Sequence, residues 1–327
     1  MNIMVYDVQA DSGGAAAILE QYYEMHKKDK SNHYYYMLSV YNLPNTDNIT
    51  VINEPYVKRS WWHRLYFDYV GVNKYLKKYK IDEVLSLQNT IIPCFKGHQT
   101  VYEHNALPFS EYRFSFTESR RMWIYQNIIS KFILRSIKKA NSIIVQTDWM
   151  RSEIEKSIPS SKGKIEVCFP NIIVDRKYIY HEKKPTVFFY PASPELFKNH
   201  RLILDAAQIL KDSGKTSFSI VFTLCGDETD YIRDIRDIAI NNSINIQWIG
   251  KIPHEKVYEY YTHSILVFPS YIETVGLPIY EAKTIGSPLL IADCKYSRNI
   301  GERHNNIHYF KYDDAIELAR LMNLYIN

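Results

Sequence analysis

Residues 265–293 read ILVFPSYIETVGLPIYEAKTIGSPLLIAD, and the order of elements in this stretch decides the fold class. An apolar run is followed by a Gly-Leu-Pro turn, a short helical pattern and a second apolar run. Strand, helix and strand in this order are typical of a parallel α/β sheet. Ligands of such sheets bind at the carboxyl ends of the strands. Glu273 and Glu281, on either side of the turn, are therefore candidate binding residues.

The turn has the features of an anion-binding helix start. Gly276 permits a tight turn and a close approach of the backbone to a ligand. Pro278 suits the beginning of a helix, where its missing N–H costs nothing, and Gly286 suits the end. The backbone N–H groups that can face a phosphate are those of Thr274, Val275, Gly276 and Leu277. The stretch therefore predicts a short helix that begins at a phosphate site.

Each of the two acids has two interpretations. Glu281, expected in the first turn of the helix, can accept hydrogen bonds from two vicinal hydroxyls, as acids do for a ribose. Alternatively, it is a capping acid that interacts favourably with the helix dipole. Glu273, in the preceding loop, can hold a second polyol, or it is simply exposed. The spacing of the two glutamates leaves these alternatives open.

Strands and helices alternate through both halves of the chain. This pattern predicts two doubly wound parallel sheets, each in a Rossmann-like α/β domain. The segment 170–185, which is polar, charged and bounded by prolines, separates the halves. We therefore predict domains over residues 1–172 and 173–327, with a last helix that can pack back toward the first domain.

Composition excludes several classes of protein. Among 327 residues, 46% are hydrophobic and 23% are charged, which is typical of a globular chain with a sizeable core. Cys94, Cys168, Cys225 and Cys294 are far apart and lack metal-ligand spacing, as in reduced, buried thiols. No apolar run reaches the roughly 18 residues of a transmembrane helix, and the first residues do not resemble a secretion signal. We expect a cytoplasmic protein.

The net charge of +4 is unevenly distributed. Residues 1–170 carry 22 Lys and Arg against 17 Asp and Glu, or +5, and the rest carry 18 against 19, or −1. Basic residues are interleaved with aromatic ones around Trp61 and Trp62 and along 119–139. Helical spacing over 119–139 places Arg120, Lys131, Arg135 and Lys138 on one stripe. It places Met122, Tyr125, Ile129, Ile133 and Ile137 on an apolar face.

This basic surface has two interpretations. It suits anionic lipid headgroups, so the protein can be peripheral on the inner face of the cytoplasmic membrane. An ordinary solvated helix face has the same pattern. Nucleic acid is not expected, because no nucleic-acid motif accompanies the charge.

Residues 269–293, PSYIETVGLPIYEAKTIGSPLLIAD, resemble the signature of family 4 of the retaining glycosyltransferases. The signature joins the two acids to the proline, glycine and serine positions around them. Residues 190–200, YPASPELFKNH, and 246–264, IQWIGKIPHEKVYEYYTHS, resemble other segments of the family. DSGGAA (11–16) and YEHNALPF (102–109) resemble more loosely its glycine loop and its histidine-bearing loop. The resemblance implies a GT-B fold, in which two Rossmann-like domains face a central cleft.

The resemblance also implies roles for residues of the C-terminal domain, which binds the nucleotide sugar. Glu281 binds the ribose, and Glu273 contacts hydroxyls of the donor sugar. Lys198 neutralises the diphosphate leaving group. The family has an arginine five residues before this lysine, where this chain has Ser193. Another cation, such as Lys251, can take the place of that arginine.

In the N-terminal domain, which the resemblance makes the acceptor-binding one, the implied site residues are Gly13, Gly14 and His104. The glycines let the backbone approach the diphosphate. His104 lies near the transferred sugar, although a histidine at a strand end is also often a structural residue. No metal or other cofactor is implied, because lysine and helix-end amides supply the charge stabilisation.

The sequence thus predicts a retaining, metal-independent glycosyltransferase of the hexosyltransferase type. Its donor is a nucleoside-diphosphate sugar, and its acceptor is a saccharide or a polyprenol-linked molecule. The resemblance favours a role in bacterial surface polysaccharide synthesis, such as O-antigen or capsule. Two alternatives stay open, namely a nucleotide-sugar epimerase or hydrolase of GT-B fold, and a GT-B protein that binds without catalysis.

Overall fold

A computed structural model describes residues 1–11, 13–298, 300 and 306–326. The chain divides into two compact units, Met1–Phe169 and Pro170–Asn327. Each unit contains one parallel β-sheet with helices. Ser12, in the predicted glycine loop, lies outside the described residues.

The N-terminal unit has seven strands in the order β3-β2-β1-β4-β5-β6-β7. The strands are β1 (Asn2–Asp7), β2 (His33–Leu38), β3 (Ile49–Asn53), β4 (Glu83–Ser86), β5 (His98–Glu103), β6 (Ser142–Val145) and β7 (Ile165–Val167). The α-helices are α1 (Gly13–His26), α2 (Trp61–Tyr66), α3 (Asn73–Lys78), α4 (Arg120–Ile124), α5 (Ser130–Lys139) and α6 (Asp148–Ser157). Two π-helical turns, Phe67–Gly71 and Tyr125–Ile129, lie between α2 and α3 and between α4 and α5.

The C-terminal unit has six strands in the order β10-β9-β8-β11-β12-β13. The strands are β8 (Thr186–Tyr190), β9 (Phe218–Phe222), β10 (Ile246–Trp248), β11 (Ile265–Phe268), β12 (Leu289–Ala292) and β13 (Ile307–Phe310). The α-helices are α7 (His200–Asp212), α8 (Asp230–Asn241), α9 (His254–Tyr261), α10 (Leu277–Ile285) and α11 (Ala315–Asn323). The last helix, α11, packs against α7 of the same unit.

The burial of the central strands explains why the apolar pattern predicts them. Every residue of β9, β11 and β12 is buried, as expected for strands of a parallel sheet that is covered on both faces. The strands that the apolar pattern did not reveal are β3, β7 and β13. They lie at sheet edges and bury few residues. The predicted fold class, two doubly wound parallel sheets, is confirmed.

Each sheet has a point where the strand order reverses. In the N-terminal unit this switch point lies between β1 and β4, and in the C-terminal unit it lies between β8 and β11. The connections leave in opposite directions there, which opens a crevice at the carboxyl ends of the two strands. The residues that follow these four strands are therefore the first place to look for a binding site.

The π turn between α4 and α5 corrects the predicted apolar face of segment 119–139. A continuous α-helix would bury Tyr125 and Ile129, but the π turn adds a residue and buries Gln126 and Ser130 instead. The Gln126 side chain accepts a hydrogen bond from the Phe114 N–H at 3.0 Å, so this polar group is satisfied in the core. The prediction was wrong at these positions because apolar periodicity assumes unbroken α-helical geometry.

Candidate functional site

Lys198 and Glu273 meet at the switch point of the C-terminal sheet. Lys198 ends the 3₁₀ turn after β8, and Glu273 lies in the loop after the neighbouring strand β11. The Lys198 ammonium donates a hydrogen bond to the Glu273 carboxylate, and the two side chains are 17% and 14% exposed. The Tyr190 hydroxyl donates to the Lys198 carbonyl at 2.8 Å and so anchors the turn to β8. A cation and a carboxylate are thus held side by side at the ligand-binding edge.

Glu281 is buried on the helix that follows this loop. It is the fifth residue of α10 and is 7% exposed. Because the helix begins at Leu277, the expectation that Glu281 lies in the first turn is wrong. The helix dipole acts on charges in the terminal turn, so capping does not account for this acid.

Two side chains of α9 contact the Glu281 carboxylate. The Nε2 atom of His254 lies 2.8 Å from Oε1, and the hydroxyl of the buried Tyr261 donates to Oε2 at 3.5 Å. The hydrogen bond to Glu281 raises the pKa of His254. The two contacts hold the carboxylate in a defined orientation on α10, the helix that follows β11 and its loop.

Gly276 fixes the direction of the α10 start. Its backbone is left-handed, with φ of 73°, and a Cβ there would lie 3.1 Å from Cδ1 of Ile279 and 3.3 Å from the Tyr296 ring. Side chains are therefore disfavoured both by conformation and by space. At the other end Gly286, with φ of 92°, caps the helix as predicted. The remaining residues of the predicted phosphate site are Val275, which is buried, and Thr274 and Leu277, which are half-buried.

The position where the family has an arginine is exposed. Ser193 lies in the loop between β8 and Lys198, and Lys251 is exposed in the loop after β10. In the part of the chain that the structure describes, no hydrogen bond or ion pair joins either of them to the Lys198–Glu273 pair.

The predicted residues of the N-terminal unit follow β1 and β5. Gly13 and Gly14 form the start of α1, and Gly14 is exposed with no atom within 4 Å of an added Cβ. His104 is half-buried, and its backbone N–H donates to Oδ1 of Asn89 at 2.8 Å. Burial lowers the pKa of His104 to about 4, so the ring is neutral at pH 7. Its Nδ1 is buried without a hydrogen-bond partner among the described residues.

Two buried acids at this edge were missed in the sequence. Glu103 ends β5 and Asp7 ends β1, and both are at most 1% exposed. Burial raises the pKa of Glu103, and it raises the pKa of Asp7 to about 6. Each acid follows buried apolar residues at the end of its strand. That position, an ionisable residue where a core residue is expected, was the signal that could have identified them.

The predicted basic surface divides into two groups. All four cations of the stripe, Arg120, Lys131, Arg135 and Lys138, are exposed. Arg135 also lines a cavity of about 320 Å³ within the N-terminal unit, and the other three do not. We call this cavity the basic–aromatic pocket, and its main side chains are Trp61, Arg64, Asp68, Phe132, Arg135 and Lys139. Trp62 lies beside Trp61 and is 75% exposed.

No helix in the described ranges of the chain has both the length and the apolar character needed to cross a membrane. The same ranges contain no group of three or more His, Cys, Asp and Glu side chains that could hold a metal ion. All four cysteines are free thiols, but the expectation that they are buried is wrong, because Cys225 is exposed and the other three are half-buried.

Comparison with known proteins shows that the C-terminal unit is similar to a family of enzymes. Residues 172–327 match the family described as "Glycosyl transferases group 1". The O-antigen chain mannosyltransferase RfbU of Salmonella typhimurium is 22% identical over 206 residues. That match covers 62% of this chain and 54% of the relative, so this chain spans about half of the relative's length.

Solved structures match nearly the whole chain at low identity. The sucrose-phosphate synthase of Thermosynechococcus elongatus has a TM-score of 0.73 and 13% identity, over 99% of this chain and 88% of that one. HepE of Anabaena, in complex with UDP and glucose, has a TM-score of 0.68 and 14% identity, over 99% and 89%. Such identities establish the fold, which is GT-B, and the similarity to the glycosyl transferases of group 1 is carried by the C-terminal unit, over residues 172–327.

Proposed function

We propose that the protein is a retaining glycosyltransferase that moves a sugar from a nucleoside-diphosphate sugar to a saccharide or lipid-linked acceptor. The observation that carries this proposal is the contact between Lys198 and Glu273 at the switch point of the family-matching unit, with the buried Glu281 on the helix that follows. The name of RfbU, an O-antigen chain mannosyltransferase, supports a role in surface polysaccharide synthesis. The UDP and glucose in the HepE complex support a nucleotide sugar as donor.

Lys198 is the proposed stabiliser of the leaving group. Transfer breaks the bond between the anomeric carbon and a phosphate oxygen, and negative charge develops on the departing diphosphate. A fixed ammonium at that oxygen stabilises the charge in the transition state more than in the ground state. The backbone N–H groups at the start of α10 have no partner within the helix and can bind the same phosphates.

The acids are proposed to hold the donor's hydroxyl groups. Glu273, released from Lys198 when the ammonium binds phosphate, can accept hydrogen bonds from the donor sugar. Glu281 presents two oxygens, which suits the two vicinal hydroxyls of a ribose. Charged hydrogen bonds of this kind are stronger than neutral ones. The neutral His104, with Nδ1 unpartnered among the described residues, is proposed to contact the transferred sugar.

Metal independence belongs to the same proposal, because Lys198 and the α10 start supply positive charge at the diphosphate. Transfer measured in excess chelator should equal transfer without it. Loss of activity that magnesium or manganese restores would show that a metal carries the diphosphate charge instead.

We further propose that the N-terminal unit docks on an anionic membrane at the cytoplasmic face. This proposal is supported by the exposed cations on and beside α5 and by the exposed Trp61 and Trp62. Each such cation contributes about 1 kcal/mol near an anionic surface at low salt. The protein should sediment with anionic vesicles at low salt and not with neutral ones. Charge reversal of Arg120, Lys131 and Lys138 should abolish sedimentation, and equal binding by that variant would contradict docking.

A nucleotide-sugar panel tests the proposed function. A donor that binds the folded protein should raise its melting temperature by mass action. The donor identified in this way is then incubated with and without candidate acceptors, and the anomeric configuration of the product is read by NMR. Transfer with retention supports the proposal. Hydrolysis or epimerisation without any acceptor, or binding without any reaction, would favour the two alternatives.

A further inference from the structure

The basic–aromatic pocket lies at the switch point of the N-terminal sheet. Gln9 follows β1 and Thr90 follows β4, and both residues line the pocket between these neighbouring strands. The other walls are α2, the π turn Phe67–Gly71 and α5. A switch point is where an open α/β sheet binds its ligand. A volume of about 320 Å³ is at the lower end of small-molecule sites, so it accommodates part of a ligand.

Both π turns of the N-terminal unit contribute to the pocket. Asp68 and Tyr69 belong to the first, and Ile129 ends the second. A π turn costs helical regularity and is found most often at functional sites. The two irregular turns therefore indicate a binding site independently of the cavity.

The charges of the pocket suit a phosphate. Three cations and one carboxylate, Arg64, Arg135, Lys139 and Asp68, give the lining a net charge of +2. Asp68 is engaged within the protein, since it accepts from Nε of Arg64 at 2.7 Å and from the Tyr6 hydroxyl. Within the described residues, no carboxylate forms an ion pair with Arg135 or Lys139, whereas Arg64 is paired with Asp68. A phosphate monoester, with a charge near −2, is the complementary group.

The uncharged part of the lining is mixed, with polar residues such as Gln9 and Thr90 at the strand ends and an aromatic and aliphatic part that continues onto an exposed surface. In this apolar part Trp61 packs edge-to-face on Phe132 with ring centroids 6.3 Å apart, and these side chains are 49% and 37% exposed. Ile91, Pro93 and Leu65 add aliphatic surface inside the pocket. The hydroxyl groups of a free saccharide would find few partners on the apolar part. An apolar chain beginning at the phosphate fits it.

We infer that the basic–aromatic pocket binds a lipid phosphate, with the phosphate between Arg135 and Lys139 and the first units of the lipid chain against Trp61 and Phe132. The inference rests on the proposed function insofar as it makes this lipid the acceptor. It selects the lipid-linked acceptor over the free saccharide. The binding itself does not depend on catalysis, so it can be measured separately.

Farnesyl phosphate, a soluble lipid phosphate, is the probe, and calorimetry without vesicles or detergent is the measurement. It should bind at least about tenfold more tightly than farnesol, inorganic phosphate or glucose 1-phosphate, since each of these lacks one half of the interaction. Tryptophan fluorescence should change on binding, because Trp61 lines the pocket. Equal binding of glucose 1-phosphate would overturn the inference and indicate a sugar-phosphate site.

Matched charge removals on one helix localise the binding. Arg135→Ala with Lys139→Ala should weaken farnesyl phosphate by about tenfold or more. Lys131→Ala with Lys138→Ala removes the same charge from α5 outside the pocket and should leave the affinity unchanged. Equal weakening by both pairs would mean non-specific attraction. The melting temperature verifies that each variant is folded.

The failures of the two proposals are distinguishable. If farnesyl phosphate binds as described but no sugar is transferred to any acceptor, the inference stands and the proposed function fails. If transfer to free saccharides is observed while farnesyl phosphate does not bind, the function stands and the inference fails.

Discussion

Both sheets are parallel and have a switch point, but the polar groups at their carboxyl edges differ in whether they have hydrogen-bond partners. In the C-terminal unit the acids are paired, Glu273 with Lys198 and Glu281 with His254 and Tyr261. In the N-terminal unit five buried polar atoms lack a hydrogen-bond partner among the described residues, namely Asp7 Oδ2, Ser39 Oγ, Gln88 Nε2, Glu103 Oε2 and His104 Nδ1. All five lie at or just after the ends of strands β1, β2, β4 and β5.

The two kinds of edge differ in the free energy that a bound ligand can recover. A paired acid and cation are stable by themselves and can be exchanged for a ligand's groups. A buried polar atom without a partner costs about 1–3 kcal/mol, which a hydrogen bond from a ligand would recover. Among the described residues of the C-terminal unit, the exceptions are both on α7, namely the two ring nitrogens of His200 and Oε1 of Gln208. The His200 ring is buried against Tyr190 and Phe222, and burial lowers its pKa to about 3, so it is a neutral core residue.

The largest effect is expected at Lys198, which is paired with Glu273 at the carboxyl edge of the C-terminal sheet. Lys198→Ala removes the cation from the leaving group and should lower kcat by roughly 100-fold, as the loss of one electrostatic stabiliser does. Steady-state kinetics at saturating donor measure it. Lys256→Ala, which breaks an exposed ion pair on α9, is the control and should leave kcat unchanged. Near-normal turnover of Lys198→Ala would mean that another cation serves the diphosphate.

A smaller effect is expected at Glu281. Glu281→Ala removes two charged hydrogen bonds to the ribose and should weaken donor binding by at least about tenfold. The substitution also leaves the Tyr261 hydroxyl unpaired, so Glu281→Gln, which retains an acceptor, separates ligand binding from folding. Glu255→Ala on the exposed start of α9 is the control. Unchanged donor affinity in both Glu281 variants would exclude the ribose role.

The buried Glu103 at the carboxyl edge of the N-terminal sheet should affect the pH dependence of the free energy of unfolding. Burial holds the native pKa of Glu103 above the unfolded value of 4.5, so the native state keeps a proton that the unfolded state releases. The free energy of unfolding should therefore fall as pH rises above 4.5, by up to about 1.4 kcal/mol per pH unit, until the native pKa is reached. Glu103→Gln should flatten this slope in urea titrations between pH 5 and 8, roughly the range where most proteins are stable. The exposed substitution Glu24→Gln should preserve it, and an unaltered slope in Glu103→Gln would show that Glu103 is charged in the native state.

The smallest effect concerns His254. Its native pKa is raised by Glu281, so its contribution to stability is complete below the unfolded value of 6.5 and is lost as pH rises through the native pKa. Because the His254 side chain is 62% exposed, the contribution should stay below about 1 kcal/mol. Unfolding curves of the wild type and His254→Gln on both sides of that window measure it. A double-mutant cycle with Glu281→Gln should give a coupling that disappears at high pH, and a coupling independent of pH would rule out the charged pair.

The part of the fold that sequence could predict is the part whose residues are buried on both faces. Strands such as β11 and β12 are continuous apolar runs, and Gly276 and Gly286 mark the ends of α10. Three edge strands, β3, β7 and β13, were not predicted because most of their residues are only partly buried and form no continuous apolar run, whereas the edge strand β10 was predicted. The π turns could not be predicted, because a change in the hydrogen-bond register of a helix does not alter the amino-acid composition.

The sequence by itself determined the doubly wound fold class and the identity of the acids and lysine in the signature, because local chemistry and apolar periodicity are written in neighbouring residues. Only the tertiary structure brought Lys198 to Glu273, 75 positions away in the chain, through the adjacency of β8 and β11. It also decided that Arg135 turns into a pocket while Lys131 and Lys138 do not. The physical reason is the same in both cases. Strand order and helix register are set by how distant segments pack, and packing is a property of the whole sheet.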